Sequence, residues 1–226
     1  MINVSSYFFS LQQFAHAILF EDDPYPWIAL QRLENYLKKQ TLGVVLGEVS
    51  QLAHLINPES IFIGEGSRIE SGAYIKGPCI IGKGCEVRHD AYIRGNVLIG
   101  DHCVVGHGSE LKNTILMNHS HAAHFAYLGD SIIGNGVNLG AGSKCANVRI
   151  DKKYIKIRSG SICIETNMRK LGAIIGDRSQ LGCNAVTNPG TLIGQDVFCY
   201  PNIAVGGVIL SRSLIKPNIT PCIVSY

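Results

Sequence analysis

Charge is scarce in this chain of 226 residues. Only 16% of the residues are charged, and the formal net charge is +3. So weak a balance argues against nucleic acid and membrane surfaces as partners, but it leaves room for a local basic pocket fitted to a small anion. No apolar run approaches the roughly 20 residues of a membrane-spanning helix. The opening Met-Ile-Asn-Val-Ser-Ser has neither the basic start nor the unbroken apolar stretch of a secretory signal. The chain therefore reads as cytoplasmic. No Cys-x-x-Cys pair occurs among the eight cysteines, so nothing here reads as a thiol redox pair or a zinc knuckle. Reduced, space-filling cysteines are expected.

What is present is a six-residue period. An aliphatic side chain recurs at Ile63, Ile69, Ile75, Ile81, Val87, Ile93, Ile99, Val105 and Leu111. Four residues after each of the first eight comes a small or compact residue: Ser67, Ala73, Cys79, Cys85, Ala91, Val97, Cys103, Ser109. Glycine often follows the aliphatic, as at Gly64, Gly82, Gly100 and Gly106. A hexapeptide period predicts an all-β solenoid of triangular coils, about 18 residues each, with inward aliphatics stacked at the ~4.8 Å spacing of paired strands.

The solenoid is expected over residues 51–226, after a helical segment at 1–50. Phe9, Leu11, Phe14, Ala15 and Ile18 suit one apolar helical face. Asp22, Asp23, Pro24 and Pro26 interrupt it, and Trp27, Leu30, Leu33, Tyr36 and Leu37 mark a second helix. The pair is expected to cap the open first coil. The period then slips twice. After Leu111 it resumes at Ile133, Leu139 and Cys145, offset by four, which suggests extra residues around Met117–Tyr127. A second gap, Asn147–Leu171, carries Arg149, Lys152, Lys153, Lys156, Arg158, Arg169 and Lys170. The beat returns at Ile175, Leu181, Ile193 and Val205. Chemistry is expected at these interruptions.

The first gap contains His124-Phe-Ala-Tyr127-Leu-Gly-Asp130, followed by Asn138-Leu-Gly-Ala-Gly142 and Asn147. Arg94 lies upstream in Tyr-Ile-Arg and Lys112 in Glu-Leu-Lys. These segments resemble the acetyltransferase domain of the bifunctional sugar-1-phosphate enzymes that make UDP-N-acetylglucosamine. Ala146-Asn-Val-Arg-Ile-Asp151 and Arg169-Lys-Leu-Gly-Ala173 are similar to the archaeal-type members. The resemblance covers roughly residues 20–215. It implies a left-handed parallel β-helix, a homotrimer with active sites shared between subunits, and acetyl-CoA as co-substrate with no metal.

The resemblance also implies roles. His124 matches the base that takes a proton from the attacking amine of a hexosamine 1-phosphate, a task suited to imidazole. Asn147 matches the residue that contacts substrate and thioester, where an oxyanion develops. Arg94 and Lys112 match the clamp on the sugar phosphate, with Tyr127 and Asn138 holding phosphate and hydroxyls. Glu110 is placed to orient base or amine, and Lys153 and Lys156 match anion-binding or catalytic lysines of archaeal-type members. Ala141, Cys183 and Pro201 fall at the coil positions that line the acetyl-CoA groove. The nucleotidyltransferase domain of bifunctional members, with its Gly-rich loop and Pro-Lys, has no match here. No nucleotidyl transfer is expected of this chain, and a separate nucleotidyltransferase is a possible partner.

Three other readings stay open from the residues. One is an acyltransferase of the same architecture acting on a UDP-sugar or an amino acid. A second is a scaffold without activity. A third is a zinc enzyme similar to the gamma-class carbonic anhydrases, using His119 and His124 with His89 or His107, since imidazole is a common zinc ligand.

Overall fold

The computed structural model describes residues 5–21 and 24–218. Short parallel strands wind into a triangular solenoid. Face one stacks nine strands, from Val44–Val45 to Val208–Ile209, and face two stacks nine, from Glu48–Val49 to Leu214–Ile215. Face three stacks eight, from His54–Ile56 to Ala204–Val205. The strands of the first coil start at Val44, inside the expected helical segment. Inward residues pair in register up each face: Ile63 with Ile81, Ile81 with Ile99, Leu111 with Leu128, Val105 with Ala122. They form one continuous core of fully buried Ile, Val, Leu, Ala and Cys. Each buried aliphatic contributes roughly 1.5–3 kcal/mol. Cys79, Cys85, Cys103 and Cys145 are buried free thiols in this stack, and burial pushes the Cys145 thiol up to about 11.

The first gap in the period is not an insertion. Ile99 pairs with Leu116 and Leu116 with Ile133, so these coils contain 17 residues instead of 18. Leu111 to Leu116 and Leu128 to Ile133 are each five residues apart. One residue is lost at the third corner in two successive coils, at Asn113 and Asp130, both at positive φ (49° for each). Two deletions and four insertions shift a six-residue beat identically, so the sequence pattern admits both. Residues 117–127 are ordinary coil, with His121–His124 paired to Val104–His107.

The second gap is an insertion, with the expected bounds. The chain leaves the solenoid at Asn147 and returns where Leu171 N–H donates to the Asn147 carbonyl at 3.0 Å. Between them Lys156–Ser159 and Ile162–Glu165 form an antiparallel hairpin. Ile155, Ile157 and Leu171 are buried. Gly190 allows this docking, since a Cβ there would lie 2.5 Å from Ile155 Cγ2.

Face one also points apolar residues outward, and these decide where the N-terminal segment goes. Ile80, Leu98, Ile115, Ile132, Ile174 and Leu192 form a second core with Phe8, Phe9, Trp27, Leu30, Leu33 and Leu37. The segment thus lies along the flank of the solenoid instead of across its open first coil, where Val45, Leu46 and Leu52 stay exposed. Helix Ile28–Leu37 forms as expected, with Leu30, Leu33 and Leu37 on its buried side. The first expected helix does not form as one piece. Ser5–Phe8 and a 3₁₀ turn at Ala17–Phe20 replace it, and Ile18 is exposed. Burial of individual aromatics on face one outweighs helical periodicity here. Ser10 N–H donates to Asp177 Oδ2 at 2.7 Å, and Ser211 N–H to Tyr7 Oη at 3.0 Å, tying this strap to the last coils.

Candidate active site

The corner between faces two and three carries one residue per coil in a column. Register places His89, His107, His124, Ala141, Cys183 and Pro201 in it, each three residues beyond the first residue of a face-two strand. His124 ends the strand His121–His124 with an exposed imidazole. Phe125, which follows it, holds the corner at φ 51°, unusual for so bulky a residue. The next coil hooks on where Gly142 N–H donates to the His124 carbonyl at 3.0 Å. Above His124 the column shrinks to Ala141, Cys183 and Pro201. The glycines beside them let the coils approach: a Cβ at Gly140 would lie 2.6 Å from Cys183 N, and one at Gly182 would lie 2.4 Å from Pro201 N. Asn138, Gly140, Gln180, Cys183, Phe198 and Pro201 line an open groove of about 530 Å³ on this side.

Face three, beside this column, carries the polar set. Arg94 Nη1 meets Glu110 Oε1 at 2.6 Å, and Lys112 Nζ lies 3.2 Å from both oxygens of Asp130. Tyr127 pairs across the coil with Glu110. Burial raises the Tyr127 phenol above its ordinary value, and the carboxylates of Glu110 and Asp130 push it the same way. At the third corner Asn113, Asp130 and Asn147 stack one per coil. Asn113 Nδ2 donates to Asp130 Oδ1 at 2.8 Å, and Asn147 Nδ2 donates to Asp130 Oδ2 at 2.5 Å. Asn147 Oδ1 accepts from Tyr127 Oη at 3.4 Å. Gly129 makes this possible: a Cβ there would lie 2.6 Å from both Asn147 Nδ2 and Tyr127 Oη. Arg94, Lys112, Asn113 and Asn96 also border a cleft of about 520 Å³ against Gln31 and Glu34 of helix Ile28–Leu37, within the range of small-molecule sites.

The structure thus brings Arg94, Glu110, Lys112, Tyr127 and Asn147 together. His124, Ala141, Cys183 and Pro201 stand on the adjacent corner, with Asn138 three residues before Ala141 on face two. Lys153 and Lys156 stand apart in the insertion, and Lys156 pairs with Glu165 across the hairpin. His119 and His124 occupy opposite ends of face two, with His119 stacked on His102 at 5.0 Å. They do not converge as a ligand pair within the chain. Asp130 and Gly129 are the residues that motif reading left without a role. The 17-residue spacing of Asn113, Asp130 and Asn147 was the available signal.

This column and face stand on a parallel β-helix of hexapeptide repeats. The described fold matches the UDP-N-acetylglucosamine acyltransferase of Campylobacter jejuni, with a TM-score of 0.51 over 74% of this chain and 70% of that one at 14% identity. The chain belongs to the family described as the GMPPB C-terminal domain, whose model matches residues 75–222. It is 36% identical over 173 residues to the bifunctional sugar-1-phosphate nucleotidylyltransferase/acetyltransferase of Sulfurisphaera tokodaii, covering 76% of this chain and 42% of that protein. It is 30% identical over 197 residues to the putative uncharacterized acetyltransferase YaiX of Escherichia coli, covering 84% and 86%. The chain therefore spans well under half the length of the bifunctional relative. Among the described residues no helix is long and apolar enough to cross a membrane.

Proposed function

We propose that this acyltransferase uses acetyl-CoA to N-acetylate a hexosamine 1-phosphate for UDP-N-acetylhexosamine synthesis. The single observation that carries the reading is the corner column. A free imidazole at His124 opens directly onto the small residues Ala141, Cys183 and Pro201, beside a face bearing Tyr127, Glu110, Lys112 and Arg94. In this reading the thioester lies along the column and the sugar lies over face three. His124 Nε2 or Nδ1 takes the proton as the amine adds to the carbonyl, and returns it to the departing thiolate. Asn147 is held rigid by Asp130 and Tyr127, so its orientation costs nothing at the moment of reaction. One solenoid wall is half of a cleft, and a second wall in a homotrimer closes it. The lysines of the insertion then face a neighbour's site.

A second reading has one observation in its favour. Arg94 and Lys112 already sit on Glu110 and Asp130, so within one chain the patch is electrically neutral. An acceptor that brings no phosphate to this face, such as an amino acid or a UDP-sugar whose diphosphate lies elsewhere, suits a neutral patch better than the phosphate dianion of a sugar 1-phosphate. The test is CoA release from acetyl-CoA with glucosamine 1-phosphate, galactosamine 1-phosphate and a UDP-aminosugar, in wild type and in the Arg94→Ala and Lys112→Ala variants. A rise of KM for the sugar phosphates alone supports the phosphate clamp. Turnover confined to the UDP-aminosugar, or equal CoA release by His124→Ala and wild type, overturns the first reading.

A further inference from the structure

Two coils hold a cluster that acetyl transfer does not use. His89 and His107 lie in the same corner column as His124. Their rings stack nearly parallel, with centroids 5.5 Å apart and planes at 5°. His89 Nδ1 lies 2.9 Å from the Ser71 carbonyl, and His107 Nδ1 lies 3.1 Å from the His89 carbonyl. A carbonyl oxygen only accepts, so each Nδ1 carries a proton and donates. In the neutral ring this leaves the Nε2 lone pair free, and parallel stacking aims both lone pairs the same way.

Asp90 supplies the third group. Its Oδ2 lies 3.1 Å from His89 Nε2. With the proton fixed on Nδ1, that contact sets one lone pair against another unless a cation lies between them. The cation is either a second proton on His89 or a metal ion. Two ligand atoms on a tetrahedral zinc lie about 3.3 Å apart for metal–ligand distances near 2.0 Å, close to the separation seen. The donor atoms of His89, Asp90 and His107 all fall within 4.8 Å of one another. The imidazole of His89 and the carboxylate of Asp90 are exposed, and that of His107 is half-buried, so a small tilt of the rings closes the set. Asp90 takes the positive φ, 57°, that the chain adopts after this column in each coil, which turns its carboxylate beside His89. Beneath it is Gly72, where a Cβ would lie 2.6 Å from Asp90 Oδ1 and 3.0 Å from His89 Nδ1.

We infer that His89, Asp90 and His107 form a binding site for one divalent transition-metal ion, clipping two successive coils one turn below His124. Two imidazoles and one carboxylate suit zinc, nickel, cobalt or copper and not magnesium or calcium, which take oxygen ligands. The Nδ1–H···O=C bonds play the orienting part that backbone carbonyls play around other metal-ligating histidines. The site stands independently of the acetyl-transfer reading. His89 and His107 entered the sequence reading only as a third ligand for His119 and His124, which the fold separates.

The experiment is calorimetric titration of the chelator-treated full chain with zinc(II), and separately with cobalt(II) read by its visible absorption. One equivalent is expected to bind. Asp90→Asn keeps a residue at home in the left-handed corner and is expected to weaken binding by about tenfold or more. His89→Gln with His107→Gln is expected to abolish it. His102→Gln with His119→Gln removes the other stacked pair and is expected to leave it intact. No binding by the wild-type chain, or unchanged affinity in the His89/His107 double variant, overturns the proposal. If that double variant loses its circular-dichroism spectrum, the Asp90→Asn titration decides: unchanged affinity there overturns the proposal as well.

Discussion

Two corners of the same triangle solve the same turning problem and end up chemically opposite. At the corner between faces two and three, the residues after the column adopt positive φ, as at Phe125 and Gly142, and the imidazole of His124 stands in solvent. At the third corner, Asn113 and Asp130 take positive φ too, but every described polar side chain of the Asn113–Asp130–Asn147 ladder is engaged. Asp130 accepts from Asn113, Lys112 and Asn147 at once and is buried. Unspent hydrogen-bonding capacity leaves that corner open to a ligand, as the proton transfer proposed for His124 requires. Spent capacity marks the corner that fixes geometry.

The contrast can be broken in order of effect. His124→Ala is expected to lower the rate of CoA release by about 10²–10⁴-fold while leaving the melting temperature unchanged, because an exposed corner side chain supports no packing. Loss of the fold in that variant would erase the distinction between the corners. Trp27→Ala tests the third region of the molecule, the covered flank. Trp27 is fully buried against face one, and its loss is expected to cost about 3–5 kcal/mol in urea unfolding. Asp130→Ala is expected to cost roughly 1–3 kcal/mol by stranding the Asn113 and Asn147 amides, with Asp130→Asn costing less. A loss of turnover in Asp130→Ala without any loss of stability would move Asp130 from the fixing corner to the reacting one.

The smallest effect is a pH dependence. Burial lowers the His16 imidazole below its ordinary 6.5, against the pull of Asp101, and its Nδ1 meets Tyr36 Oη at 2.7 Å. As pH falls below 6.5 the unfolded chain takes up this proton before the folded one, so stability declines with acidification. Melting temperatures from pH 7.5 to 5.5 are expected to fall in wild type and to fall less in His16→Gln.

The solenoid was legible because its inward side chains repeat without exception from Ile63 to Leu111. The insertion was legible because twenty-odd residues without a beat cannot be coil. The two shortened corners were not, since a phase offset does not reveal its sign. Nor was the route of the strap, because outward aliphatics such as Leu98 and Ile115 share strands with inward ones and read as part of the same core. The candidate site could be read as motif residues but not as bonds. His124 and Asn147 were read as two active groups, and the structure shows the second already held on two sides.

Stacked-coil proteins ordinarily fray from their ends, because each coil touches only its neighbours. Here the bond from Ser211 N–H to the Tyr7 phenol joins residues 204 positions apart in sequence. A terminal coil cannot peel away without prising Tyr7 from its place, and Tyr7 packs edge-on to Phe8 in the flank core. Loosening at one end is thereby opposed by the strap along the flank, and the stack is expected to melt more nearly as one unit than contacts between neighbouring coils alone would allow.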